Sequence, residues 1–279
     1  MIIWLASYPK SGNTWVRAFL SSILYSEKGI NDFSTLHKIQ QFPKREHFEG
    51  LIDNFQNLKN INENWKIAQD RINHDKKIKL FKTHHVLCTM NNFEFTDNSN
   101  SLGVIYIVRD PRTVLLSIKH HFGMKSLDEA RNFIINENIW LGINKSEKYK
   151  NKSNKVPTLI SSWRVNYLSW KNKIQNYLIV KYEDLLENPQ KEFFKISKFM
   201  EKLMNYKFDE EKIKNAIEST SFQALQKLEE KGLFTEQGKG TKFFNSGPNT
   251  NWKTQLDKNI VDEINFKFKN EMVELGYLK

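Results

Sequence analysis

Four short apolar runs mark the chain, Ile2 to Ala6, Ile78 to Lys82, Val104 to Val108 and Tyr177 to Tyr182, each broken off by polar residues. Runs of this length, rich in branched and aromatic side chains, predict strands. Long stretches of helical spacing or polar composition separate them. That alternation predicts an α/β fold, a single domain over 1–279 with a mostly parallel central sheet flanked by helices. No repeat and no Pro/Gly/Ser linker interrupts it. The polar stretches Asn31 to Asp75 and Ser126 to Thr158 predict helical insertions or lids, which are the natural walls of a substrate site.

In an open α/β sheet ligands bind beyond the carboxyl ends of the strands, so chemistry is expected where each apolar run stops. The first run stops at Tyr8-Pro9-Lys10-Ser11-Gly12-Asn13-Thr14-Trp15 and gives way to the helical Val16, Ala18, Phe19 and Leu20. Strand, small-residue loop and helix N-terminus form a P-loop-like nucleotide-binding architecture. Successive N–H groups and the helix dipole face one anion, and Lys10 adds a full positive charge. The register is not that of a nucleoside-triphosphate loop. With Gly12 on the second glycine of G-x-x-x-x-G-K-[ST], Ser7 falls on the first glycine, Asn13 on the lysine and Thr14 on the hydroxyl. The lysine stands instead two residues before the glycine, which disfavours ATP and GTP and leaves a phosphate or sulfate as the ligand.

The third run ends in Arg109-Asp110-Pro111-Arg112. Asp110 is a natural N-cap and Pro111 a natural first helical residue, which puts Arg109 at the strand tip and Ser117 about two turns into the helix. Arg109 holds an anion or pairs with a helix carboxylate; its residues alone leave both readings open. The second run ends in Lys82-Thr83-His84-His85. His84 suits a general base, since imidazole titrates nearest neutrality, or a structural hydrogen-bonding role. Alternation turns His85 to the opposite side. His120 and His121, beyond Ser117, line an acceptor pocket or sit at a solvated helix end. Trp163 and Trp170 read as core. No Cys/His/Asp cluster has zinc-site spacing, and no metal is expected.

Together these segments resemble the cytosolic-type sulfotransferases that use 3′-phosphoadenosine 5′-phosphosulfate (PAPS). The Y-P-K-S-G-x-T-W string resembles their 5′-phosphosulfate loop, R-D-P-R-x-x-x-x-S their 3′-phosphate element, K-T-H their catalytic-base string, and Tyr182-Glu183-Asp184 and Thr220-Ser221-Phe222-Gln223 their adenosine-side segments. The resemblance implies transfer of a sulfuryl group to a hydroxyl, less often an amine, of a small-molecule acceptor. It implies Lys10 and His84 as catalytic residues, and Lys10, Ser11, Gly12, Asn13, Thr14, Trp15, Arg109, Ser117, Tyr182, Ser221, Phe222 and Gly247 as donor-binding residues. Trp15 and Phe222 would hold the adenine between them. Two departures stand out. Asn166 replaces a histidine in W-x-x-H-x-x-x-W. Asn245-Ser246 replaces the Arg-Lys pair that precedes Gly247 and Trp252-Lys253, so Arg109 acts with less help or Lys239 and Lys242 substitute. The dimer pattern of the family is not recognisable at Asp257-Lys258, which leaves the oligomeric state open.

Composition narrows the rest. The 279 residues carry 43 Lys+Arg against 32 Asp+Glu, a net charge of +11, which favours an anionic ligand. The lysines lie among Asn and Glu, as on a solvated surface, and no groove-reading helix or stacking motif points to nucleic acid. The single cysteine, Cys88, precludes an intrachain disulfide and reads as a small buried hydrophobe. Met1 to Ala6 is too short for a signal h-region, and no membrane segment is expected, so a cytoplasmic protein is expected. Two rival functions remain: a small-molecule kinase or NTPase using the same loop, and a nucleotide-binding protein without transfer activity.

Overall fold

The computed structural model describes residues 1–143, 155–236, 242–244 and 251–279. Strands β1 (Ile2–Ser7), β2 (Gln40–Gln41), β3 (Lys79–Thr83), β4 (Ser101–Val108) and β5 (Tyr177–Lys181) form a central parallel sheet in the order β2-β3-β1-β4-β5. The β1–β3 register runs parallel from Ile2 opposite Lys79 to Ala6 opposite Thr83. All six residues of β1 are buried, which is why it reads as a continuous apolar run rather than an alternating one. The chain leaves β1 for β3 on one side and takes up β4 on the other, so the strand order reverses beside β1. Such a switch point is where open α/β sheets place ligands. The predicted strands are all present, with ends displaced by up to three residues.

The chain divides into two compact units. The first comprises 1–8, 40–106 and 137–179. Its core is aromatic: Trp4 lies 5.6 Å from Phe42, 5.7 Å from Phe95 and 6.0 Å from Trp170. Trp4 satisfies its indole N–H on Ser101 Oγ at 2.7 Å, so a large side chain is buried without a stranded donor. Trp163 and Trp170 are fully buried, as the core reading expects. Cys88 is half-buried rather than buried. It immediately precedes the hairpin Thr89–Met90 and Phe93–Glu94, and burial pushes its thiol up to about 11.

The second unit comprises 9–39, 107–136 and 180–279. It holds helices α1 (Asn13–Tyr25), α2 (Pro111–Phe122), α3 (Pro189–Met204) and α4 (Phe222–Glu230). Phe19 of α1 stacks on Phe193 of α3 at 4.3 Å. No helix among the described residues is long and apolar enough to cross a membrane.

Candidate donor cradle and catalytic base

In the second unit, the loop after β1 turns sharply at two left-handed residues, Lys10 (φ +67°) and Gly12 (φ +103°). Gly12 is the N-cap of α1, and Trp15 and Val16 donate to its carbonyl at 3.0 and 3.3 Å. A Cβ on Gly12 would meet the Tyr182 ring at 2.6 Å, so both the backbone angle and the space require glycine. The first N–H groups of α1 project from this turn. Ser11 is wholly buried, and its Oγ has no hydrogen-bond partner among the described residues. An orphaned hydroxyl beside a helix N-terminus and a lysine is what an anion oxygen would satisfy. The cradle therefore fits the phosphate end of a nucleotide.

Arg109, at the tip of β4, donates from Nη1 to the Lys10 carbonyl at 3.2 Å and lies 4.1 Å over the Tyr182 ring. Arg109 thus links Lys10 to Tyr182, whose ring lies against Gly12, and all four are residues singled out from the sequence. Trp15 is buried, edge-on to Tyr182 at 5.8 Å. Its indole N–H has no partner among the described residues. Asn13 is buried and Thr14 half-buried in the first turn. Asp110 caps α2, as predicted, by accepting the Arg112 N–H at 2.9 Å. Arg112 pairs with Asp110 at 2.7 Å and lies 3.9 Å over the Trp252 ring. Arg112 is thus a structural arginine. Ser117 is half-buried on α2.

Lys10 is half-buried. Burial, and then the Arg109 charge, lower its pKa to about 8, while Glu229 acts in the opposite sense. Its Nζ lies 3.7 Å over the Phe243 ring. His121, which faces Phe243 edge-on at 6.1 Å, is lowered to about 4 by burial and by Lys10. His120 is exposed.

Ser221 caps α4, accepting the Ala224 N–H at 3.4 Å, and Phe222 packs edge-on to Phe244 at 6.5 Å. Trp15 instead contacts Tyr182 and Phe193. Lys242, a candidate replacement for the absent Arg-Lys pair, is engaged with Glu230 at 2.8 Å. Gly247, Asn245, Ser246 and Lys239 lie outside the described residues.

The first unit carries the candidate base. His84 Nδ1 lies 2.8 Å from the Ser7 carbonyl and 3.3 Å from its hydroxyl. Donation to a carbonyl requires a proton on Nδ1, which puts the proton-accepting lone pair on Nε2. His85 points the other way, as alternation predicts. It is fully buried, stacked on Phe95 at 4.4 Å, and burial lowers it to about 4.

Asn166 stands out in the sequence only as a departure. Its amide donates to the carbonyls of His84 and Ile160, both at 2.9 Å, and accepts from the Tyr106 hydroxyl at 2.9 Å. It fixes the backbone that carries His84. Glu229 and Phe243 have no signal in the sequence at all, because their roles depend on contacts with residues far away along the chain.

The chain matches the family model described as Sulfotransferase domain over residues 2–276. It is 24% identical to cytosolic sulfotransferase 13 of Arabidopsis thaliana, over 97% of this chain and 76% of that protein. It is 26% identical to sulfotransferase 1B1 of Canis lupus familiaris, over 80% of this chain and 66% of that protein. Among solved structures it resembles retinol dehydratase in complex with androsterone and the inactive cofactor PAP, with a TM-score of 0.60 at 16% identity, covering 97% of this chain and 80% of that one.

Proposed function

This chain belongs to the sulfotransferase domain family, and on that premise we propose that it moves a sulfuryl group from PAPS to a hydroxyl, less often an amine, of a small-molecule acceptor. The observation that carries the reading is the cradle of Lys10, Ser11 and Gly12 tied to Arg109, a phosphate site with its lysine displaced from the triphosphate position. A structural relative determined with PAP supports the choice of nucleotide.

Bound PAPS supplies an activated sulfuryl group on a phosphate that leaves as 3′-phosphoadenosine 5′-phosphate, PAP. The N–H groups of Ser11 to Thr14 and the Thr14 hydroxyl hold the 5′-phosphate, Arg109 and Ser117 the 3′-phosphate. Trp15, Tyr182 and Phe222 hold the adenine, with Ser221 and Gly247 completing the donor site. His84 Nε2 takes the acceptor's hydroxyl proton as the new O–S bond forms. Lys10 neutralises the negative charge left on the phosphate oxygen as the old S–O bond breaks. A preorganised cation at that oxygen is a large source of rate, worth about 100- to 1000-fold for a single donor. We treat 1–279 as one functional domain, a reading supported by the family match over residues 2–276.

The test is incubation with radiolabelled PAPS and a panel of phenols, alcohols and amines. Label should transfer to at least one class with release of PAP, and Lys10→Ala and His84→Ala should each abolish most of it. Normal turnover by either variant would exclude that residue from the transfer step.

A further inference from the structure

Residues 242–244 are bound to α4 by side chains that the chemistry above does not use. Glu229, on α4, is buried, and its two carboxylate oxygens accept the N–H groups of Phe243 at 2.5 Å and Phe244 at 2.9 Å. Gln226 donates to the Phe244 carbonyl at 2.8 Å, and Lys242 pairs with Glu230. The Phe243 ring then packs against Phe234 and Phe244, each at 5.0 Å, and presents its face to the Lys10 ammonium. A carboxylate near a half-buried lysine would ordinarily form an ion pair with it. In this protein both oxygens are used on backbone N–H groups, and the ammonium receives an aromatic face instead.

We propose that Phe243 and Glu229 are positioning residues for Lys10: the Glu229 carboxylate fixes the backbone of Phe243 so that its ring backs the ammonium and excludes water from one side of it. The inference rests on the reading of Lys10 as the donor-binding lysine. A ring face attracts a cation without neutralising it, so the lysine keeps its charge for an anion. Excluding water strengthens the attraction between that charge and a phosphate. The same coverage accounts for part of the desolvation that lowers Lys10 to about 8. Among the described residues, the charged or titratable groups that interact with Lys10 are Arg109, Glu229 and His121. His121, lowered to about 4, stays neutral throughout, and Lys10, at about 8, changes charge between pH 7 and 9.5.

The experiment is calorimetric titration of the full chain with PAP from pH 7 to 9.5, for the wild type, Phe243→Tyr, Phe243→Leu and Glu229→Ala, with Lys10→Ala as control. Affinity of the wild type and of Phe243→Tyr should fall through an inflection near pH 8. Phe243→Leu should shift that inflection upward, so that the loss between pH 7 and 9 shrinks from about 10-fold to under about 3-fold, and Glu229→Ala, which also removes the carboxylate charge that raises Lys10, should shift it upward by less. Phe243 is only half-buried, and comparable melting temperatures establish that its variants fold. An unchanged inflection in Phe243→Leu overturns the inference while leaving the function intact. A shift in Glu229→Ala without one in Phe243→Leu also overturns it. If the wild type binds no PAP, or if Lys10→Ala keeps the inflection, it is the donor reading that fails.

Discussion

The titration of Lys10 makes donor affinity depend on pH in a way an ordinary surface lysine would not. Burial, reinforced by Arg109, brings the ammonium from 10.5 to about 8 in the protein without ligand. A bound 5′-phosphate favours the charged form, so PAP binds the protonated protein. Above pH 8 the ammonium must recover a proton on binding, and the apparent Kd grows in proportion to one plus the ratio of neutral to charged lysine. Between pH 7 and pH 9 that factor rises about 10-fold, or about 1.4 kcal/mol by linkage. A lysine at its ordinary value would leave the Kd flat over this range. The second ionisation of the PAP 5′-phosphate is largely complete by pH 7, being near 6 for a phosphate monoester, and adds little. Calorimetry in buffers of different ionisation enthalpy measures both the Kd and the proton uptake. A Kd constant within about twofold from pH 7 to 9, or the same rise in Lys10→Met, would refute the assignment. The sign for folding follows from the same shift. A lysine lowered in the folded state opposes folding below its folded value, and that opposition is relieved as pH climbs from about 8 toward 10.5.

Other substitutions separate the parts of the site. Gly12→Ala places a Cβ 2.6 Å from Tyr182 at φ +103°, and should lower stability by about 1–3 kcal/mol and weaken PAP binding; urea unfolding and calorimetry read the two effects. Arg109→Ala should weaken PAP by about 10- to 100-fold, the range of a charge-assisted contact, with much less effect on adenosine 5′-phosphate, which lacks the 3′-phosphate. Equal losses for both ligands would move Arg109 away from that group. His84→Ala should lower turnover by about 100- to 10000-fold with PAP affinity unchanged. Asn166→Ala removes one hydrogen-bond partner each from the Tyr106 hydroxyl and from the His84 and Ile160 carbonyls. It should destabilise the protein by about 2–4 kcal/mol and reduce turnover more than donor affinity; a variant with full activity would dissociate Asn166 from His84.

Much of the fold and site is legible in the residues because it depends on local pattern. The buried strands, the Asp110 cap and the loop before α1 each declare themselves within a few residues, through apolar runs, an Asp-Pro pair and a glycine at a positive φ. The orientation of His84 and His85 follows from alternation alone. What stays hidden are relations between distant segments. That Tyr182 forbids a side chain at Gly12, that Asn166 carries the His84 backbone, and that Glu229 seats Phe243 on Lys10 are tertiary facts with no local signature. The Arg-Lys departure at Asn245-Ser246 is visible in the sequence. One proposed remedy, Lys242, is occupied by Glu230, which leaves Arg109 as the described cation in contact with the loop.

The loop from Lys10 to Trp15 is proposed to select an adenosine bisphosphate over a nucleoside triphosphate. Calorimetry of the purified chain with PAP, and separately with ATP and magnesium, tests it most directly. PAP should bind saturably and be weakened by both Lys10→Ala and Arg109→Ala, with ATP at least about 100-fold weaker, the equivalent of about 2.7 kcal/mol. Tight magnesium-dependent ATP binding with no heat from PAP would contradict it.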